Sequence, residues 1–221
     1  MFYAILLLLS LPTYATPPTS PIPQATPAPD FTGNYTIHKG TTFQGKSYTG
    51  KVQITAEGPA YRVRWDLGKM KYEGVGLAHK QRLFVGWAMH NKCGIVLYKI
   101  TDKQLQGKWV HAVGKVGMGT ELITLTGDLE GTHKGTGTHV DGSPYQVHVS
   151  IKKAGQVYHV MWQSGKATYQ GSGRKVGDIL AIGWGLQKQY GYIEYLKKGK
   201  TLEGKWTGPN MTRFASETLQ K

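Results

Sequence analysis

Tyr61-Arg62-Val63-Arg64-Trp65 returns 97 residues later as Tyr158-His159-Val160-Met161-Trp162, and three further stretches keep that spacing. Tyr72-Glu73-Gly74-Val75-Gly76 becomes Tyr169-Gln170-Gly171-Ser172-Gly173. Leu83-Phe84-Val85-Gly86-Trp87 becomes Leu180-Ala181-Ile182-Gly183-Trp184, and Leu105-Gln106-Gly107-Lys108-Trp109 becomes Leu202-Glu203-Gly204-Lys205-Trp206. About a third of the aligned positions from Tyr48 onward are identical, far above chance for unrelated segments. The spacing predicts an uninterrupted duplication, with one β-unit over 31–124 and a second over 125–221.

Inside each unit the apolar residues alternate. Tyr61, Val63 and Trp65 share one face and Arg62 and Arg64 the other; Leu83, Val85 and Trp87 repeat the pattern. Period two is the signature of a half-buried strand. Turn-forming text separates the runs, such as Glu57-Gly58-Pro59, Asp141-Gly142-Ser143-Pro144 and Lys198-Gly199-Lys200. Eight strands are expected in the first unit, near 33–39, 48–55, 60–66, 70–78, 82–88, 94–100, 104–110 and 119–125, with counterparts 97 residues on. Trp65, Trp87 and Trp109, like Trp162, Trp184 and Trp206, fall 22 apart, so each occupies a similar height on every second strand. Eight sequential antiparallel strands close readily into a small barrel, which removes exposed sheet edges. The expected fold is therefore all-β: two tandem antiparallel up-and-down units of about eight strands, each a small barrel. A single continuous two-sheet structure is the alternative. Gly74, Gly76, Gly171 and Gly173 are expected to let strands bend and to leave room for a Trp opposite.

The chain of 221 residues carries a formal charge of +14. Residues 30–124 contribute +8 (14 basic, 6 acidic) and residues 125–221 contribute +6 (13 basic, 7 acidic). Such a field favours anionic partners, and its even spread argues against a dedicated nucleic-acid arm. Cys93 is the single cysteine, so no internal disulfide forms; its counterpart is Tyr190, which marks it as a space-filler. Residues 1–15 hold a short apolar run, Ala4 to Pro12, ending in Thr13-Tyr14-Ala15. That pattern reads as a secretory signal cleaved after Ala15, with an uncleaved anchor as second choice and no transmembrane helix after cleavage. Residues 16–30 carry most of the prolines and read as an extended linker. Export to the periplasm or exterior is expected.

The recurring text Tyr-x-Val-x-Trp, Tyr-x-Gly-x-Gly, Leu-x-Val/Ile-Gly-Trp and Leu-x-Gly-x-Trp resembles a poorly characterised group of exported bacterial tandem-repeat proteins. Some of its members are labelled fibronectin-binding, and the resemblance spans nearly all of 31–219. Its strand rhythm also resembles avidin- and lipocalin-type barrels. The resemblance implies a barrel fold and a binding role, and carries over no site residue.

Catalytic signatures are missing from the text. None of the eight histidines lies in a metal-ligand spacing, and His133 with His139, placed to face each other across a hairpin, is the best pair. No nucleophile elbow or phosphate loop occurs. Glu121 and Glu217 are the one acidic pair recurring between units, and they read as structural or rim residues. No catalytic residue, metal or cofactor is expected. Tyr72, Trp87 and Trp109, with Tyr169, Trp184 and Trp206, should point inward and are the candidate ligand-binding set, against the simpler reading of a packed aromatic core. Arg62, Arg64, Lys71, Arg174 and Lys175 are the candidate basic surface, suited to an anionic glycan, lipopolysaccharide or extracellular matrix protein rather than nucleic acid. The expected role is binding without catalysis, with a carrier of a small apolar ligand and an enzyme lacking a recognisable motif as alternatives.

Overall fold

The computed structural model describes residues 29–89, 92–186 and 189–221. The expected leader at 1–15 and nearly all of the expected linker at 16–30 lie outside the described residues. Sixteen strands follow in order: β1 (Gly33–Thr41), β2 (Ser47–Glu57), β3 (Ala60–Asp66), β4 (Lys71–His79), β5 (Arg82–Ala88), β6 (Cys93–Ile100), β7 (Gln104–His111), β8 (Gly119–Thr124), β9 (Gly131–Thr138), β10 (Pro144–Ala154), β11 (Val157–Ser164), β12 (Ala167–Val176), β13 (Ile179–Gly185), β14 (Gly191–Lys198), β15 (Thr201–Thr207) and β16 (Ala215–Gln220). Each lies within about two or three residues of its expected place. No described residue is helical, and no helix is long and apolar enough to cross a membrane.

The strands form two closed, wholly antiparallel eight-stranded barrels, but the barrels do not coincide with the repeats. Barrel one runs β1-β16-β15-β14-β5-β4-β3-β2, and barrel two runs β10-β11-β12-β13-β6-β7-β8-β9. Each repeat therefore gives five strands to one barrel and three to the other. A self-closing unit would pair β5 with β6 as a hairpin. Instead β5 pairs with β14 and β6 with β13, in equivalent registers: Trp87 opposite Gly191 and Trp184 opposite Gly94.

The physical reason lies in the composition of these four strands. Leu83, Val85 and Trp87 face the lumen of barrel one, while Phe84 and Ala88 face the other barrel. Likewise Val96 and Tyr98 fill barrel two while Cys93 and Ile95 face barrel one. Strands buried on both faces read as continuous apolar runs, and exchange supplies the second apolar layer that a lone barrel lacks. At the centre of this interface the backbones touch. A Cβ on Gly86 would overlap the carbonyl of Gly94, and one on Gly183 the carbonyl of Gly191. The repeated Gly-Trp pair thus has a cause: the glycine admits the neighbouring barrel, and the tryptophan turns into its own lumen. Gly74 and Gly171 do leave space for an indole, since added Cβ atoms would lie 3.1 and 2.9 Å from Cζ3 of Trp65 and Trp162.

The two flanks of the interface have diverged. On one flank Leu77, Leu97 and Ile179 pack together in an apolar cluster. Their counterparts 97 residues away are Arg174, Glu194 and Arg82, an ionic triad in which both arginines reach Glu194 Oε1 at 3.2 Å. Tyr192 donates to the same buried carboxylate at 3.0 Å. The offset of 97 also fails at the end of the chain. Gly204 pairs with Glu217 as Gly107 pairs with Glu121, which makes the β15–β16 connection one residue shorter than β7–β8.

Replacing Gly86 by Ala is expected to cost about 1–3 kcal/mol, since the overlapped atom is backbone and cannot rotate away. Chemical denaturation of the variant, beside Gly183→Ala, measures it, and an unchanged midpoint would show that the interface tolerates separation.

Candidate functional site

Two polar centres and one cleft hold the chemistry of the molecule. Inside barrel one, Glu217 of β16 accepts hydrogen bonds from Tyr195 Oη at 2.5 Å, Tyr48 Oη at 2.8 Å and Trp65 Nε1 at 3.2 Å. Trp65 Nε1 also donates to Tyr195 Oη at 3.1 Å. Inside barrel two, Glu121 of β8 accepts from Tyr98 and, at 2.9 Å, from Tyr145; Trp162 Nε1 donates to Tyr98 Oη at 2.8 Å and Trp109 Nε1 to Tyr145 Oη at 3.0 Å. The centres are counterparts, drawn from β2, β3, β14 and β16 in one barrel and β6, β8, β10 and β11 in the other.

Glu121 and Glu217 are nearly fully buried, so they are lumen residues rather than rim residues. Burial raises both carboxyls above the ordinary glutamate range, while the phenol and indole donors pull them back. The same burial, with the carboxylate beside them, drives the hydroxyls of Tyr98 and Tyr195 well upward, so they stay protonated donors. A carboxylate whose two oxygens both accept from rigid aromatic donors fixes those rings. Such a buried, multiply bonded carboxylate suits anchoring better than proton transfer.

Above each centre the barrel ends in half-buried aromatic residues. Tyr48, Tyr72, Trp87 and Trp206 are half-buried at the strand ends of barrel one, and Tyr145, Tyr169, Trp184 and Trp109 occupy the same positions in barrel two. The expected inward set is therefore inward, and it divides between the lumens as Tyr72, Trp87 and Trp206 against Tyr169, Trp184 and Trp109. The opposite end of barrel one is stopped by Phe31, whose carbonyl accepts from Tyr35 Oη at 2.9 Å. Trp206 Nε1 is buried without a well-formed hydrogen bond, whereas its counterpart Trp109 donates to Tyr145.

The expected basic surface divides differently. Arg62 is only 8% exposed; it grips Glu57 at 2.5 Å and donates to the carbonyls of Ala112 at 2.9 Å and Gly114 at 3.3 Å, so it clamps the β7–β8 connection of barrel two. Arg64 pairs with Glu73 at 2.9 Å and Lys71 with Asp66 at 3.3 Å. This part of the patch is locally neutralised. Arg174 and Lys175 instead line a cleft of about 1030 Å³ between the barrels, joined there by Lys153, Lys205 and Arg213 and by Phe43, Tyr158 and Phe214. No Asp or Glu lines it. Arg174 is held from beneath by Glu194, and among the described residues the other four cations have no ion-pair partner. The cleft forms because the β15–β16 connection rests on barrel two, where Thr212 and Met211 carbonyls accept from Gln156 N at 2.8 Å and pair with His159 Nε2 at 2.9 Å. Sequence reading placed Lys153 among the outward basic residues of the second unit but missed Lys205 and Arg213, and with them the convergence that this docking creates.

His133 and His139 lie near opposite ends of one strand and do not meet across a hairpin. His133 is buried, accepting from Thr126 N at Nδ1 (3.3 Å) and donating from Nε2 to Leu129 O (3.2 Å), while His139 stacks on Tyr145. Among the described residues no cluster of His, Cys, Asp and Glu has the makings of a metal site. Cys93 is buried, its thiol pushed up to about 12 by desolvation and directed at the carbonyls of Glu73 and Gly86.

Compared with protein-family models, curated proteins and solved structures, the chain matches none.

Replacing Glu121 by Ala strands the buried hydroxyl of Tyr98, removes an acceptor from the half-buried Tyr145 and is expected to cost about 2–4 kcal/mol of unfolding free energy. The pH dependence has a definite sign. Because folding raises both carboxyls, stability should rise as pH falls through their elevated values and level off near the unfolded glutamate value of about 4.3. Subtracting the curve of a Glu121→Gln, Glu217→Gln double variant isolates this contribution; a difference that is flat with pH would contradict it.

Proposed function

We propose that the protein is an exported binding protein without catalytic activity, and that the cleft between its barrels holds a segment of an anionic chain. One observation carries this reading. Five cations converge on a cleft with no acidic lining, and they do so on one flank of a pseudo-symmetric molecule only. The counterparts of Lys153, Arg174 and Lys175 on the other flank are Ala56, Leu77 and Ala78, and the arginine found there, Arg62, is neutralised by Glu57. General solubility would not place unpaired like charges together, because their mutual repulsion costs stability unless a counter-charge arrives.

The cleft's aromatic residues narrow the ligand class. Phe43, Tyr158 and Phe214 offer apolar faces between the cations, a mixture suited to acidic sugar rings, whose charges are spaced along a chain and whose C–H faces stack on aromatics. An acidic polysaccharide fits this better than a nucleic-acid duplex. The apolar run at 4–12 with Ala15 supports export, and occupation of both carboxylates by tyrosines supports a role other than catalysis.

Binding to heparin, with neutral dextran as control, tests the reading. Joint replacement of Lys153, Lys175 and Lys205 by Ala should weaken heparin binding by about tenfold, on the order of half a kcal/mol for each exposed cation. The charge-matched set Lys51, Lys103 and Lys115 to Ala should change it little, and wild-type affinity should fall steeply with ionic strength. Equal losses in the two triple variants would assign binding to net charge and overturn the cleft.

A further inference from the structure

The end of barrel one above Glu217 presents aromatic rings in sequence, each nearly perpendicular to the next. Tyr72 meets Trp87 at 5.2 Å between ring centroids and 78°, Trp87 meets Trp206 at 6.3 Å and 71°, and Trp206 meets Tyr48 at 6.5 Å and 72°. All four rings are half-buried, so solvent reaches them. The hydroxyl of Tyr48 is given to Glu217, 2.8 Å away, which places a buried carboxyl directly behind this wall, and the hydroxyl of Tyr72 is turned to the Met70 sulfur at 3.4 Å.

What these walls lack narrows the occupant. A sugar or nucleobase needs convergent donors and acceptors, whereas the hydroxyls of both tyrosines are already committed and the one spare donor, Trp206 Nε1, is buried away from solvent. A purely apolar ligand gains nothing from the carboxyl, whose burial costs stability. A cationic group without hydrogen-bonding hydrogens uses what is present: the negative faces of Trp and Tyr rings, with an anionic charge behind them. We propose that these four rings at the end of barrel one form a cage for a quaternary or fully alkylated ammonium group.

Barrel two supplies the contrast. His139 lies against Tyr145 at 4.5 Å and beside Trp109 at 6.2 Å, and His111 lies 6.0 Å from Trp109. In barrel one the counterparts are Thr42 and Gly208. Imidazoles at the mouth offer hydrogen bonds and a positive charge on protonation, both unsuited to an ammonium group. The cage is therefore a property of barrel one, although both barrels keep the aromatic residues. Arg213, which donates to the Phe43 carbonyl at 2.8 Å, lies on the cleft side of Phe43, whose ring packs on Trp206 at 4.5 Å. Phe43 is thus shared with the cleft, while none of the four rings named here lines it.

Choline and its uncharged carbon isostere, 3,3-dimethyl-1-butanol, test it on the intact protein by calorimetry and tryptophan fluorescence. Choline should bind at least about tenfold more tightly than the isostere, the margin a desolvated cation on aromatic faces provides. Trp87→Leu and, separately, Tyr72→Leu should weaken choline about tenfold, and Trp184→Leu in barrel two should leave it unchanged. Equal binding of the isostere would make the mouth a merely apolar cup. Absence of choline binding up to 50 mM, on the order of the weakest measurable complex, would overturn the proposal outright, as would a loss in Trp184→Leu matching that in Trp87→Leu. If Trp87→Leu does not fold, the wild-type comparison and Tyr72→Leu decide.

Discussion

The contact of Gly86 with Gly94, and of Gly183 with Gly191, is the constraint on which the rest of the molecule depends. Backbone-to-backbone approach lets four strands bury both faces, so that a lumen and an interface are built from the same residues at alternate positions. Every larger residue on these strands then has its direction assigned: Leu83, Val85 and Trp87 inward, Phe84 and Ala88 outward against the partner barrel. Exchange of strands follows from this, because each barrel alone would leave an apolar face in water.

Within each lumen the buried glutamate does for the aromatic residues what the glycines do for the strands. Indoles and phenols buried in a barrel need partners for their N–H and O–H groups, and one carboxylate with two oxygens meets several of those needs at once. The arrangement explains why an acidic residue survives in both barrels at a desolvation cost: without it, two tyrosine hydroxyls on facing strands would be left without an acceptor. The aromatic rings at the mouths rest on this support and so hold their orientation.

Duplication supplied a pseudo-symmetric frame, and divergence made its two flanks chemically different. Leu77, Leu97 and Ile179 on one side correspond to Arg174, Glu194 and Arg82 on the other, a coordinated change from apolar contact to ion triad. Because Glu194 holds two arginines in place beneath the surface, Arg174 is fixed at the floor of the cleft while Lys153, Lys175, Lys205 and Arg213 stay available above it. The same divergence leaves imidazoles at one mouth and none at the equivalent positions of the other. Sites on this molecule are places where the two halves disagree.

The sequence by itself determined the strands, their spacing, the inward set of aromatics and the existence of two eight-stranded barrels, because period-two alternation and a repeat offset are local properties of a chain. It also carried, unread, one sign of the exchange: the unbroken apolar runs at 83–88 and 95–98, which a barrel with one wet face would not need. Only the tertiary structure decided which strands share a barrel, since β6 and β14 keep the same glycine and tyrosine, Gly94 and Tyr98 in one repeat and Gly191 and Tyr195 in the other, and either could lie beside β5. It likewise decided that Arg62 is a clamp and not a surface cation, and that Lys153, Lys205 and Arg213, distant in sequence, converge. Charge convergence depends on how one barrel's connection lies on the other, and no periodicity along the chain encodes that distance.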